Sequence, residues 1–199
     1  MILHGGIMQN INKSFKYISL LMLVFIIAGC GKESSSSSYI HTNPTKKILQ
    51  DAPQAETVFV DQYGNSHKLS EYKGKKVLIN FLLSTCYPCI KEIPEFNALY
   101  ADRGENKEDV VILGVMAPKS QNNKYTSEIS SKAEILKFIS DNDVKYPVLL
   151  DETGILFKEY GIIATPTTFT LTPNNKVYGY IGGLLNYNQM LKIIDETKD

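Results

Sequence analysis

The chain has 199 residues, of which 43% are hydrophobic and 21% are charged, and this is the composition of an ordinary globular protein. It excludes a wholly disordered chain and a collagen-like one. Lysine plus arginine equals aspartate plus glutamate at 21 each, so the formal net charge is zero. A nucleic-acid-binding protein, which usually carries a marked basic excess, is therefore not expected.

The first 29 residues have the layout of an export signal. Lys13 and Lys16 precede the apolar run 18–28 (ISLLMLVFIIA), which is short for a permanent anchor because a bilayer-spanning helix needs about 20 apolar residues. The segment 27–30 (IAGC) resembles a bacterial lipobox. This resemblance implies cleavage before Cys30 and attachment of diacylglycerol to its thiol. The alternative is a buried cysteine in a short amphipathic helix.

A serine block follows at residues 34–38 and predicts a flexible tether, because such a tract cannot bury a core. We predict three segments: a lipoprotein signal peptide at 1–29, a tether at 30–52 and one folded domain at 53–199. The protein is expected outside the cytoplasm, held to the bacterial cell membrane by the lipid on Cys30.

The folded domain begins with a predicted β-hairpin. Apolar and β-branched residues at 57–60 and 67–69 flank the turn segment 61–65 (DQYGN). The apolar run 77–83 (VLINFLL) then predicts a central strand buried on both faces. A helical pattern after it and a second apolar run at 110–115 complete a β-α-β unit with a parallel strand pair.

The second half of the domain predicts an α/β fold with alternating helices and strands. Residues 118–131 are polar and are expected to leave the core; we expect the partner-choosing surface there, because loops beside a rigid scaffold commonly carry recognition. The other predicted elements are a helix near 133–139, a strand at 146–150, a short helix at 154–160, a hairpin of 167–172 with 176–181, and a closing helix at 187–197.

Cys86 and Cys89 form a Cys-X-X-Cys motif where the predicted central strand gives way to a helix. A cysteine at a helix N-terminus faces unpaired N–H groups and the positive end of the helix dipole, which lower its thiol pKa. Cys86 is therefore the expected attacking sulfur, and Cys89, one turn further along, resolves the mixed disulfide. Pro88 is tolerated because its missing N–H would have no partner in the first helical turn.

Two other interpretations of the cysteine pair are weaker. A zinc site needs two further ligands, and the chain after residue 29 offers no third cysteine free of lipid and only His41 and His67, which form no paired motif. A purely structural disulfide would close a very small loop and stabilise the fold weakly. Redox exchange explains the spacing better, and it requires neither a cofactor nor a metal ion.

From about Ala55 to the C-terminus the sequence resembles the membrane-tethered, thioredoxin-fold thiol-disulfide oxidoreductases of the TlpA/ResA type. The segments that carry the resemblance are, in order, 74–75 with 77–81 (GK, VLINF), 86–89 (CYPC), 91–94 (KEIP), 146–151 (YPVLLD) and 165–169 (TPTTF). The resemblance implies a thioredoxin-like fold, in which helices flank a central mixed sheet and the β-hairpin forms an N-terminal extension.

The resemblance also implies roles for individual residues. Pro166 would be a cis-proline placed against the disulfide, and the backbone of Thr165 would pair with an extended substrate segment. The resemblance assigns Glu92 as an acid near the cysteine pair. Glu92 lies three residues beyond Cys89 on the same helical face, where it can exchange protons during reduction. The alternative is a solvated acid in the first helical turn that serves no redox role. Asn80 stands where cytosolic thioredoxins have a buried aspartate, which favours Glu92 as the proton acceptor.

The sequence departs from the family at Thr85, where a tryptophan is usual; the chain has no tryptophan at all. Partner recognition is therefore expected to differ more than the chemistry does. Tyr87, which the motif exposes, is expected to contact the substrate together with Pro88 and Thr165.

The resemblance implies an enzyme that reduces disulfides of exported proteins, for example apocytochrome c or a methionine sulfoxide reductase. It also implies a CcdA/DsbD-like membrane reductant that restores the dithiol. We expect the enzyme to be a monomer. A peroxiredoxin-type thiol peroxidase is one alternative, but it would have threonine where this chain has Leu83. A copper-delivery lipoprotein on the same fold is another. It would need a wider cysteine spacing and a distal histidine, and no histidine lies in the C-terminal half.

Overall fold

The structure is a computed structural model that describes residues 49–199. The strands of this part of the chain are β1 (Gln50–Asp51), β2 (Phe59–Asp61), β3 (Ser66–His67), β4 (Lys76–Phe81), β5 (Val110–Met116), β6 (Val148–Leu150), β7 (Thr167–Leu171) and β8 (Lys176–Gly182). Its α-helices are α1 (Tyr87–Asp102), α2 (Lys132–Asp141), α3 (Ile155–Glu159) and α4 (Tyr187–Glu196). A short 3₁₀ helix, Leu69–Tyr72, follows the first hairpin.

These strands form one mixed sheet in the order β1-β8-β7-β4-β5-β6-β2-β3. Strand β4 pairs in parallel with β5 and antiparallel with β7, and β5 pairs in parallel with β6. The predicted central strand and its parallel partner are thus confirmed. Because α1 starts just after the carboxyl end of β4, the cysteine motif lies at the carboxyl end of the central strand.

Strand β4 is central because its side chains are apolar on both faces of the sheet. Val77, Ile79 and Phe81 contribute to one hydrophobic cluster and Leu78 to the other, as the alternation of a strand requires. The Phe81 ring is fully buried and packs edge-on against Phe157 at a centroid distance of 5.3 Å. Two cores, one on each face, therefore hold the strand that leads into the cysteine motif.

Both edges of the sheet contain features that the sequence pattern described only in part. The predicted first hairpin is present as β2 and β3, and β2 also pairs with β6, with Val60 opposite Leu150, so the hairpin extends the sheet at that edge. At the other edge β1 pairs with β8, with Gln50 opposite Val177. The tether predicted at 30–52 therefore overlaps β1, since two polar residues followed by one alanine carry no strand pattern.

The predicted signal peptide (1–29), the predicted lipidation site Cys30 and the tether as far as residue 48 lie outside the described residues. None of the helices between residues 49 and 199 combines the length and the hydropathy that crossing a bilayer requires.

Candidate redox site at the start of helix α1

Cys86 and Cys89 form a disulfide bond, with their Cα atoms 5.2 Å apart. Cys86 is the N-cap residue of α1, and its Sγ accepts a hydrogen bond from the Cys89 N–H at 3.2 Å. Pro88 occupies the first turn, as predicted from its missing N–H. This arrangement places a sulfur where a helix N-terminus favours negative charge, and it stabilises the Cys86 thiolate when the bond is reduced.

The two sulfurs differ in access. Cys86 is 9% exposed, Cys89 is 1% exposed, and Tyr87 between them is 65% exposed. Pro88 is exposed as well. Tyr87 and Pro88 are therefore open at the surface of the motif, and Cys86 is more accessible than Cys89.

Glu92 lies one turn beyond Cys89 and is completely buried. Its Oε1 accepts a hydrogen bond from Asn80 Nδ2 at 2.8 Å, and its Oε2 accepts one from the Leu185 N–H at 3.2 Å. Burial disfavours the charged form and raises the pKa of Glu92 to about 7, although both hydrogen bonds oppose the rise. A carboxyl group with this pKa can take up or release a proton near neutral pH.

Asn80 connects Glu92 to the centre of the sheet. Its Nδ2 also donates to Thr168 Oγ1 at 3.2 Å, across the antiparallel pairing of β4 with β7. Its Oδ1 is buried and has no hydrogen-bond partner. Since an asparagine amide can rotate by half a turn, Asn80 can offer this oxygen to the proton of a neutral Glu92. The amide therefore suits both protonation states of the carboxyl group.

The loop before β7 contains the other predicted substrate contacts. The Thr165–Pro166 peptide bond is cis, and the Pro166 carbonyl accepts a hydrogen bond from the Gly183 N–H at 2.8 Å. Thr165 lines an open cavity of about 260 Å³ together with Leu83, Tyr125, Ile162 and Ile163. The cavity joins the residues that precede the cysteine motif to the loop of Thr165.

A further residue at the site, Glu128, was not found from the sequence. It belongs to the polar segment 118–131, yet its side chain is only 5% exposed and accepts hydrogen bonds from the N–H and the hydroxyl of Ser84, each at 2.7 Å. Ser84 lies two residues before Cys86. An isolated acid in a polar stretch is normally solvated, so no periodicity or motif marks this one as buried.

No group of three or more histidine, cysteine, aspartate or glutamate side chains within residues 49–199 is arranged to hold a metal ion. The site as described contains two sulfurs, the buried carboxyl groups of Glu92 and Glu128, and the Asn80 amide.

Residues 48–179, about two thirds of the sequence, match the AhpC/TSA family. The chain belongs to the AhpC/TSA family. A thiol-disulfide oxidoreductase ResA of Bacillus cereus is 28% identical over 171 residues, covering 86% of this chain and 90% of the relative. The thioredoxin-like protein YneN of Bacillus subtilis is 30% identical over 185 residues, covering 90% and 97%.

Among solved structures, the pneumococcal exposed lipoprotein thioredoxin of Streptococcus pneumoniae is 28% identical, with a TM-score of 0.62 over 70% of this chain and 97% of that one. The AhpC/TSA chain described here therefore has a thioredoxin-like fold and is a TlpA/ResA-like thiol-disulfide oxidoreductase. This confirms the predicted fold class and enzyme class. The roles predicted for Glu92, Tyr87, Pro88, Thr165 and Pro166 stay predictions.

Proposed function

We propose that this enzyme reduces disulfides of exported partner proteins through Cys86 and Cys89. The observation that carries the proposal is the unequal access of a bonded cysteine pair at a helix N-terminus, where Cys86 is 9% exposed and Cys89 is 1% exposed. The Cys86 thiolate attacks one sulfur of the partner disulfide and forms a mixed disulfide, while the other partner sulfur leaves as a thiolate. Cys89 then attacks Cys86, releases the second partner thiolate and leaves Cys86–Cys89 oxidised.

Glu92 serves this cycle as the acceptor of the Cys89 proton. Glu92 and Cys89 are three residues apart on α1 and hence on one face of the helix. Cys89 must lose its proton before it can attack, and the raised pKa of Glu92, about 7, makes the carboxylate a base of suitable strength near neutral pH. Two electrons pass to the partner in each cycle, and Glu92 returns its proton when the pair is reduced again.

The partner is a polypeptide that binds in extended form along the loop of Thr165 and Pro166. Neither the N–H nor the C=O group of Thr165 is used in the backbone pairing of β7 with its neighbours, which begins at Thr167. The cavity beside Thr165 is open, its lining mixes apolar side chains such as Leu83 and Ile162 with polar ones, and Ile163 is fully exposed. These features suit a partner with an apolar side chain close to its cysteine, and Tyr87 adds a second apolar contact.

The setting that fits this activity is the outer side of a bacterial membrane. Support comes from the lipobox-like segment ending at Cys30, from the ResA relatives and from the exposed lipoprotein among the structural neighbours. Partners of the apocytochrome c or methionine sulfoxide reductase type, a CcdA/DsbD-like membrane reductant that restores the dithiol, and a monomeric enzyme complete the proposal.

A trapping experiment tests it. Cys89→Ser prevents resolution, so this variant, expressed in cells that export it, is expected to accumulate mixed disulfides between Cys86 and exported proteins. The controls are Cys86→Ser and the double serine variant, which are expected to trap nothing. If the folded, processed Cys89→Ser protein yields no adduct that dithiothreitol releases, the proposal is wrong. Peroxide consumption by the same preparations measures the peroxidase alternative, for which Leu83 predicts no activity.

A further inference from the structure

A buried carboxylate outside the cysteine pair holds the turn that carries Cys86. The Cys86 N–H donates to the Leu83 carbonyl at 3.1 Å and closes a turn that contains Ser84. Glu128 Oε2 accepts the Ser84 N–H, and Glu128 Oε1 accepts the Ser84 hydroxyl, each at 2.7 Å. The polar segment 118–131 is thus tied by one side chain to the residues just before the reactive sulfur.

The surroundings of Glu128 select a carboxylate. Its Oε1 also accepts the N–H groups of Ile129 at 2.9 Å and Ser130 at 3.0 Å, so all four groups bonded to the two oxygens are donors. A carboxylate can accept at both oxygens, whereas an amide would direct one N–H group against a donor. Glutamine at this position therefore keeps the size of the side chain but cannot satisfy all of these groups.

We propose that Glu128 is a positioning residue that sets the redox equilibrium of Cys86 and Cys89. The contacts of Glu128 with Ser84 are present in the disulfide-bonded form, and they favour that form to the extent that they weaken when the bond opens and the turn relaxes. Loss of the contact is therefore expected to make the disulfide easier to reduce.

The test uses the exchange reaction with dithiothreitol, in which the protein disulfide becomes a dithiol and dithiothreitol becomes its cyclic disulfide. Two electrons and two protons pass in this exchange, and no partner protein is involved, so its outcome is independent of the trapping experiment. The full-length protein is equilibrated in mixtures of reduced and oxidised dithiothreitol, and the free thiols are alkylated and counted by mass. Glu128→Gln is expected to shift the equilibrium constant about tenfold toward the dithiol, on the order of 30 mV.

Two further variants make the test specific. Ser84→Ala removes the hydroxyl contact and keeps the N–H contact, so it is expected to shift the constant in the same direction by about threefold. Glu134→Gln is the matched control: Glu134 is an exposed carboxylate in the first turn of α2, just after the polar segment, and it accepts the N–H and hydroxyl of Ser131 and does not contact Ser84. It is expected to leave the constant within about twofold of wild type.

Several results would overturn the proposal. One is a Glu128→Gln protein that is less stable to urea but has an unchanged exchange constant, because Glu128 would then be only structural. A shift toward the disulfide, or an equal shift in Glu134→Gln, would do so as well. If Glu128→Gln does not fold, Ser84→Ala decides, and an unchanged constant in that variant refutes the positioning role.

Discussion

Replacing Glu92 by glutamine is expected to remove a specific pH dependence of stability. The unfolded chain ionises this carboxyl group near its ordinary pKa of 4.5, whereas the folded chain keeps the proton until the pH approaches about 7. Between these values the folded state binds more protons than the unfolded state, so the free energy of unfolding falls as the pH rises. The stabilisation that Glu92 gives below pH 4.5 is lost by pH 7 and above.

The size of this effect follows from the two pKa values. A rise from 4.5 to about 7 corresponds to about 3 kcal/mol, and because Glu92 is completely buried, solvent screening reduces this little. Glutamine also carries a cost that is independent of pH: its amide has one acceptor oxygen where Asn80 and Leu185 now use two, so Asn80 has to rotate and bury its Nδ2 where Oδ1 has no partner. That cost is about 1–3 kcal/mol.

The measurement is urea unfolding of the oxidised protein, followed by circular dichroism from about pH 4 to about pH 8. The free energy of unfolding of wild type minus that of Glu92→Gln is expected to fall by about 3 kcal/mol over this range, and groups common to both proteins cancel in the difference. Glu95→Gln is the control on the same helix and is expected to keep the wild-type fall, since Glu92 stays buried in it. Parallel pH profiles for wild type and Glu92→Gln would refute the reasoning.

Two further predictions concern packing. Phe81→Ala removes a fully buried ring between Phe157 and Phe169 and is expected to lower the free energy of unfolding by about 3–5 kcal/mol; a loss below 1 kcal/mol in urea titration would contradict the packing described. Gly114→Ala would bring a Cβ atom within 3.0 Å of Val148 and is expected to cost about 1–3 kcal/mol, whereas Gly179→Ala, with nothing within 4 Å, is expected to change stability by less than about 0.5 kcal/mol. Equal thermal midpoints for the two alanine variants would contradict the close packing of Gly114 in β5 against Val148.

The elements that could be predicted from the sequence are those whose signal is local. Strands β4 and β5 are short apolar runs bounded by polar residues, and this pattern predicts them. Helix α1 has Cys86 as its N-cap and a proline in its first turn, and these residues indicate where it begins. Helix α4 follows from its apolar spacing in the same way. The candidate site was predictable to the same extent, because both cysteines lie within one helical turn.

Features that depend on contacts between distant segments could not be predicted in this way. Glu128 is 44 residues away from Ser84 along the chain, and nothing in the sequence near either residue indicates that they meet. The burial of Glu92 is similar, since it depends on Asn80 in the neighbouring strand and on the backbone of Leu185. Helical spacing placed Glu92 on the face of Cys89 but could not distinguish a solvated acid from a buried one.

The shortness of β1 and β3 limits how this enzyme can associate with other chains. Each of these outermost strands has two residues, so neither offers the long row of open amide and carbonyl groups from which aggregates grow. An enzyme that exchanges disulfides with other polypeptides, as proposed above, meets extended segments of those chains. The two edge strands are too short to pair stably with such segments, so pairing at the sheet edges is disfavoured. The site of Cys86 lies apart from these edge strands and stays open to a partner.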